Sequence, residues 1–132
     1  MNKKKNILVD MTCSVLHHGH IRLLKKAAKL GNVIVALTSD KEILKHKKFL
    51  SPFNFKQRKE ILKSIKYVSK VIKSDYLISN KFLKKNKISL LVHGTDNKNK
   101  INNKYLKIFS RTKNISSSKI RPFLNKKKIK KL

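Results

Sequence analysis

The sequence predicts an α/β fold: an open, mainly parallel sheet of about five strands with helices on both faces. Three observations predict it. Short apolar runs, Asn6 to Asp10 and Val33 to Leu37, lack the polar alternation of a half-exposed strand and read as buried parallel strands. Between them, His20 to Leu30 carries Ile21, Leu24, Ala27 and Ala28 on one helical face and Lys on the other. This strand, helix, strand order then continues along the chain, and a sheet of βαβ units is the architecture that buries such a pattern.

The first helix is expected to close at Gly31 as its left-handed C-terminal residue. A second helix is expected from about Phe55 to Val68, with Ile61, Leu62, Ile65 and Val68 on one face, Pro52 before it and Asn54 as its N-cap. Between Leu37 and that helix the sequence reads as a basic loop. Lys70 to Ile72 is a short strand, and a helix near Asn80 to Lys87 leads to the strand Ser89 to His93, ending at Gly94. Tyr105 to Phe109 reads as the last strand, Ser116 opens a short helix, and Asn125 to Leu132 is a basic tail after a domain spanning residues 1–124. Sheets of this kind bind ligands beyond the carboxyl ends of their strands, so the loops after Asp10, Leu37, His93 and Phe109 converge on one site.

The chain has 132 residues, one domain's worth, with 39% hydrophobic residues to build a modest core. Its longest apolar run is Val33 to Leu37, too short to span a bilayer or to serve as a signal sequence, and a cytoplasmic location is expected. The lone Cys13 excludes an internal disulfide and a multi-thiolate zinc site. The net charge of +29 has two readings. It is the electrostatic footprint of a nucleic-acid binder, or it is lysine drift on solvated faces. The excess consists of 31 Lys against 4 Arg, with 12 Asn and 14 Ile, whereas base readers favour the planar Arg fork. Either way a polyanionic nucleotide is attracted, and its binding weakens with salt.

The loop Asp10 to His20 joins the first strand to the first helix, where free backbone N–H groups and the helix dipole attract phosphate. His17 and His20, three apart, face one anion while His18 points elsewhere, and Gly19 allows close backbone approach. The cluster reads as an ordinary helix start with incidental histidines, as a metal site without a carboxylate at familiar spacing, or as a pair of N–H donors for a phosphoryl group in its transition state. Neither a dinucleotide fingerprint nor a P-loop is present.

His17-His18-Gly19-His20 after a strand resembles the His-x-Gly-His motif of the nucleotidyltransferase superfamily. More narrowly, the chain is similar to the small cytidylyltransferases that act on glycerol 3-phosphate. The resemblance runs from Asn6 to about Arg121 and includes Gln57-Arg58-Lys59-Glu60-Ile61-Leu62 and the segment Arg111 to Ile120, close to the family's Arg-Thr-x-Gly-Ile-Ser-Ser/Thr-Thr signature. Asn114 stands for the signature's glycine, Met11 for a frequent glycine, Ser14 for a frequent aspartate, and Thr95-Asp96-Asn97 for Asp-Asp-Trp.

The resemblance implies a Rossmann-like domain that transfers CMP from CTP to the phosphate of a small alcohol, releasing pyrophosphate. It implies catalytic roles for His17, His20, Lys48 and Arg111. Met11, Thr12, Gly19, Arg58, Gly94, Ile115, Ser116 and Ser117 are implied nucleotide contacts, and Ser14 an acceptor contact. Magnesium is expected on the nucleotide phosphates without a protein ligand set, and a homodimer is expected. Asp10 has no assigned role. Glycerol 3-phosphate is preferred over an amine-bearing acceptor such as 2-aminoethylphosphonate, because an ammonium needs a carboxylate or aromatic faces and the chain has 6 acidic residues and no Trp. The alternative from another class is a non-catalytic, basic nucleic-acid-binding module on the same fold.

Overall fold

The structure, a computed structural model, describes residues 4–110, 112–113 and 115–124. The elements are β1 (Asn6–Met11), α1 (His18–Ala28), β2 (Asn32–Thr38), α2 (Asp40–Lys47), α3 (Phe55–Lys63), β3 (Lys70–Ser74), α4 (Asn80–Lys85), β4 (Leu90–Gly94), a 3-10 turn at Asn103–Tyr105, β5 (Leu106–Phe109) and α5 (Ser117–Leu124). Among the described residues the five strands form one sheet in the order β3-β2-β1-β4-β5, with every neighbouring pair parallel. The predicted α/β class therefore holds. The order reverses between β1 and β4, which opens a crevice beyond their carboxyl ends.

The strands' two-residue period splits the core in two. Ile7, Val9, Val33, Val35, Leu37 and Val92 point to one face, where Leu24 and Ala27 of α1 and Leu62 of α3 cover them. Leu8, Ala36 and Leu91 point to the other face, against Leu83 of α4 with Ile78, Ile88 and Ile101.

Three expectations are corrected. Gly31 is not left-handed: α1 ends at Lys29 in right-handed geometry, with Leu30 N–H donating to the Ala27 carbonyl at 2.9 Å. Gly31 is required for another reason, since a Cβ there would lie 2.2 Å from the Lys5 carbonyl oxygen. The second predicted helix, α3, stops at Lys63. Beyond it, Ser64, Ile65 and Val68 make hydrogen bonds three residues back, and Ile61 is exposed. The loop expected after Leu37 contains α2, capped by Ser39, whose hydroxyl accepts from Glu42 N–H at 3.2 Å. It buries only Ile43, so apolar periodicity could not reveal it. Asn54 caps α3 as predicted, in a reciprocal pair with Gln57.

Candidate active site

A cleft of about 390 Å³ lies beyond the carboxyl ends of β1 and β4. One end is built from two helix N-termini. His17 caps α1 from extended backbone, its Nδ1 accepting from Gly19 N–H at 3.1 Å. His17 N–H in turn donates to Nδ1 of His20 at 3.1 Å. Because each Nδ1 accepts, each ring carries its proton on Nε2. The rings lie 3.9 Å apart between centroids. Burial, then the neighbouring His17, pushes His20 down to about 3, so it is a neutral N–H donor across the physiological range. Gly19 is dictated by this packing, since a Cβ would sit 2.8 Å from His17 Cε1. His18 is exposed and does not line the cleft; it borders an adjoining basic groove with Arg22, Lys26 and Lys113.

The second N-terminus is that of α5. Ser116 Oγ accepts from Lys119 N–H at 3.2 Å, and Ser117 Oγ donates to the Val15 carbonyl at 3.0 Å, which ties α5 to the first loop. Met11, Thr12, Ser14, Gly94, Ile115, Ser116 and Ser117 all line the cleft with the two histidines, so the predicted cluster is brought together there. Arg111 and Asn114 lie outside the described residues.

Two predicted contacts sit elsewhere. Lys48 is the left-handed C-terminal residue of α2 (φ 59°) and does not line the cleft, whereas Lys47 does. Lys47 Nζ lies 5.9 Å from the centroid of Tyr76, another lining residue, whose other contacts are a face-to-face stack on His46 at 4.6 Å and a backbone hydrogen bond to Glu42 Oε1. Arg58 is 1% exposed and does not reach the cleft. Its guanidinium donates to the carbonyls of Phe53 (3.0 Å), Thr12 (2.8 Å) and Thr38 (2.9 Å) and to Asp40 Oδ1 (2.6 Å). It holds the ends of β1 and β2 in place from beneath.

Cys13 also belongs to the framework. Burial pushes its thiol up to about 12, so it is no nucleophile, and its φ of 49° turns the first loop toward α1.

The other end of the cleft is acidic. Asp10 and His93 each follow the paired residues Val9 and Val92 and stand side by side, His93 Nε2 3.5 Å from Asp10 Oδ1. Asn99 Nδ2 donates to Asp10 Oδ2 at 3.1 Å, and Asp96 Oδ1 lies 3.6 Å from His93 Nδ1. Burial raises the Asp10 carboxyl above its usual range, with His93 the main opposing influence. Sequence reasoning assigned none of these residues a role. The available signal was a single carboxylate ending an otherwise apolar strand.

The cytidylyltransferase-like family model matches residues 12–123. The chain belongs to the cytidylyltransferase-like family. The glycerol-3-phosphate cytidylyltransferase of Staphylococcus aureus is 44% identical over 70 residues, 52% of each chain. The FAD synthase of Pyrococcus abyssi is 32% identical over 97 residues, covering 72% of this chain and 66% of that one. This cytidylyltransferase-like chain thus spans between half and two thirds of the length of these relatives. In fold it is similar to the lipopolysaccharide core biosynthesis protein from Thermoplasma volcanium GSS1, with a TM-score of 0.67, 20% identity and coverage of 83% of this chain and 97% of that one. The family-model match at residues 12–123 includes His17, Gly19, His20, Ser116 and Ser117 of the cleft.

Proposed function

We propose that this chain is a CTP-dependent cytidylyltransferase acting on a small acceptor that carries a phosphate or phosphonate group. An acceptor oxygen attacks the α-phosphorus of CTP in line, a new P–O bond forms, and the bond to the β-phosphate breaks to release pyrophosphate. The acceptor is already ionised, so the protein's task is positioning and charge stabilisation. The observation that carries the reading is the His17–His20 pair, in which both Nδ1 atoms are engaged and both protons sit on Nε2, at the rim of a cleft flanked by two helix N-termini. Those N–H groups donate to the α-phosphate as negative charge builds on it. Thr112, Ser116 and Ser117 serve the β- and γ-phosphates with hydroxyls and the α5 N-terminus, and Arg111 serves them with its fork. Lys47 takes the place proposed from sequence for Lys48.

Magnesium belongs to this reading as a passenger on the triphosphate. It would supply charge neutralisation there, and the hydroxyls of Ser116, Ser117 and Thr112 lining that end of the cleft are hard oxygens of the kind such an ion takes. A homodimer belongs to it as well. Leu50 (79% exposed), Leu44, Phe53 and Leu77 are apolar side chains that a partner would cover.

The test is a pyrophosphate-release screen of the four ribonucleoside triphosphates against phosphorylated alcohols and phosphonates. CTP is expected to be the donor. Turnover with ATP alone would move the chain toward adenylyl transfer, the direction of its FAD synthase relatives. Strong, salt-dependent nucleic-acid binding without any turnover would mark the non-catalytic alternative.

A further inference from the structure

One buried amide ties together three segments that wall the cleft. Asn99 is 8% exposed, and its side chain meets a different segment on each side. Its Nδ2 donates to Asp10 Oδ2, at the end of β1, at 3.1 Å and to Asn97 Oδ1 at 2.9 Å. Its Oδ1 accepts at 2.6 Å from the N–H of Ile78, in the loop after β3. A backbone N–H only donates and a carboxylate accepts, so the amide has one orientation that serves both neighbours. A carboxylate or an alkyl group of the same size serves at most one of them. Asn97 reinforces the fold of the loop after β4, its Oδ1 accepting from Asn99 N–H at 3.1 Å and its Nδ2 donating to the Asn99 carbonyl at 3.2 Å. Asp10 reaches the same loop a second time through His93, whose Nε2 lies 3.5 Å from Asp10 Oδ1 and whose Nδ1 lies 3.6 Å from Asp96 Oδ1.

What this clasp holds faces the cleft. Tyr76 and Leu77 directly precede Ile78, and Asp96 and Lys98 flank Asn97; all four line the cleft. Residues 75–79 and 95–99 lie outside helices and strands, so side-chain ties rather than ladder hydrogen bonds set their course. We propose, resting on the transferase reading above, that Asn99 is a positioning residue for substrate binding, its clasp on Asp10 and Ile78 fixing residues 75–78 and 95–98 in the geometry that receives substrate. Asn99 itself touches no reacting atom. The histidine pair and α5 stand at the opposite end of the cleft, so loosening the clasp weakens binding and leaves the chemistry of a filled site nearly intact.

The test reverses the two partners. Asn99→Asp keeps the shape and still accepts from Ile78 N–H, but it sets a second carboxylate against Asp10 Oδ2. The double variant Asp10→Asn/Asn99→Asp restores one donor and one acceptor across the same gap with their roles exchanged. Each protein is assayed where thermal melting shows it fully folded, by pyrophosphate release with CTP and glycerol 3-phosphate, or the acceptor that replaces it in the screen above. At about pH 8, Asn99→Asp is expected to raise KM for at least one substrate about tenfold with kcat within about threefold, and the double variant to recover most of the loss. Facing carboxylates share a proton as the pH falls, so the variant should approach the wild type near about pH 5.5. His93, Asp96 and Lys98, the other charged groups at this end, are common to both proteins, and the ratio to wild type is the quantity read. If Asn99→Asp does not fold, Asn99→Ser, whose single hydroxyl cannot span both neighbours, should show the same rise in KM without the recovery at low pH. Unchanged KM values in a folded variant, or a loss that the double variant does not recover, overturn the inference and leave the transferase reading standing. Absence of pyrophosphate release by the wild type with every triphosphate and acceptor overturns the transferase reading instead. Hydrogen exchange then decides the clasp: exchange about tenfold faster at residues 75–78 and 95–98 in Asn99→Asp, with the strand amides unchanged, supports it, and unchanged loop exchange overturns it.

Discussion

His17 and His20 orient one another: the backbone N–H of His17 holds Nδ1 of His20, while the Nδ1 of His17 caps the helix on which His20 sits. One reciprocal cap therefore sets the ring tautomer, the ring spacing and the helix start together.

The cap and the chemistry of His17 are separable. His17→Asn keeps an oxygen able to cap α1, so its melting temperature should stay close to that of the wild type. Its kcat should fall about a hundredfold, the scale for losing one transition-state donor, with a much smaller change in CTP affinity. His20→Ala should show a similar loss of rate. Near wild-type turnover in either variant would remove the histidine pair from the mechanism.

Arg58 is expected to matter for stability rather than for nucleotide contact. Arg58→Met leaves the Thr12, Thr38 and Phe53 carbonyls without their donor, at a cost of about 1–3 kcal/mol for each one left buried and unsatisfied, while Asp40, half exposed, can turn to water. Arg58→Lys should recover little, because an ammonium lacks the fork that meets four partners. Urea unfolding measures both. A stable Arg58→Met protein with weakened CTP binding would restore the direct contact expected from sequence.

The pH dependence of stability has a sign set by His20. Its pKa is pushed from 6.5 to about 3 in the folded chain, so below 6.5 the unfolded chain binds the proton that the folded chain refuses. Stability contributed by neutral His20 is thus full above about 6.5 and is lost progressively as pH falls toward about 3. Protonation would also silence the Nδ1 lone pair that accepts from His17 N–H. Chemical denaturation across this range should show a shallower decline in His20→Gln than in the wild type, and parallel curves would place the titration elsewhere.

Adjacent lysines should behave differently. Lys47→Ala is expected to weaken CTP binding about tenfold at low salt and by less at high salt, since the screened charge is what it removes. Lys48→Gly should leave affinity intact and stabilise the fold by up to about 1 kcal/mol, because glycine adopts the φ of 59° without a Cβ penalty. Calorimetry at two salt concentrations, with a melting curve for each variant, reads both effects. An affinity loss confined to Lys48→Gly would reverse the assignment.

The strands and the histidine end of the cleft were legible in the sequence because their signals are local. Apolar runs such as Val33 to Leu37 have one way to be buried, and His17 to His20 lie within a single helical turn of each other. The family-like serine segment was legible for the same reason. What depends on pairing between distant segments was not. Asp10 and His93 become neighbours only because β4 docks beside β1 in register at Val9 and Val92, and no periodicity in either strand encodes that choice of partner. Arg58 looked like a ligand contact because a lone arginine among lysines stands out. Only the packed loops reveal that three carbonyls and a carboxylate already occupy its donors. By itself the sequence determined the fold class, the direction of the sheet and the pairing of His17 with His20 at a helix start, since those follow from short-range hydrophobic pattern and helix geometry. The tertiary structure alone decided which lysine faces the cleft, which arginine is a strut and which histidine stands beside Asp10, because burial and hydrogen-bond partners are properties of the assembled sheet.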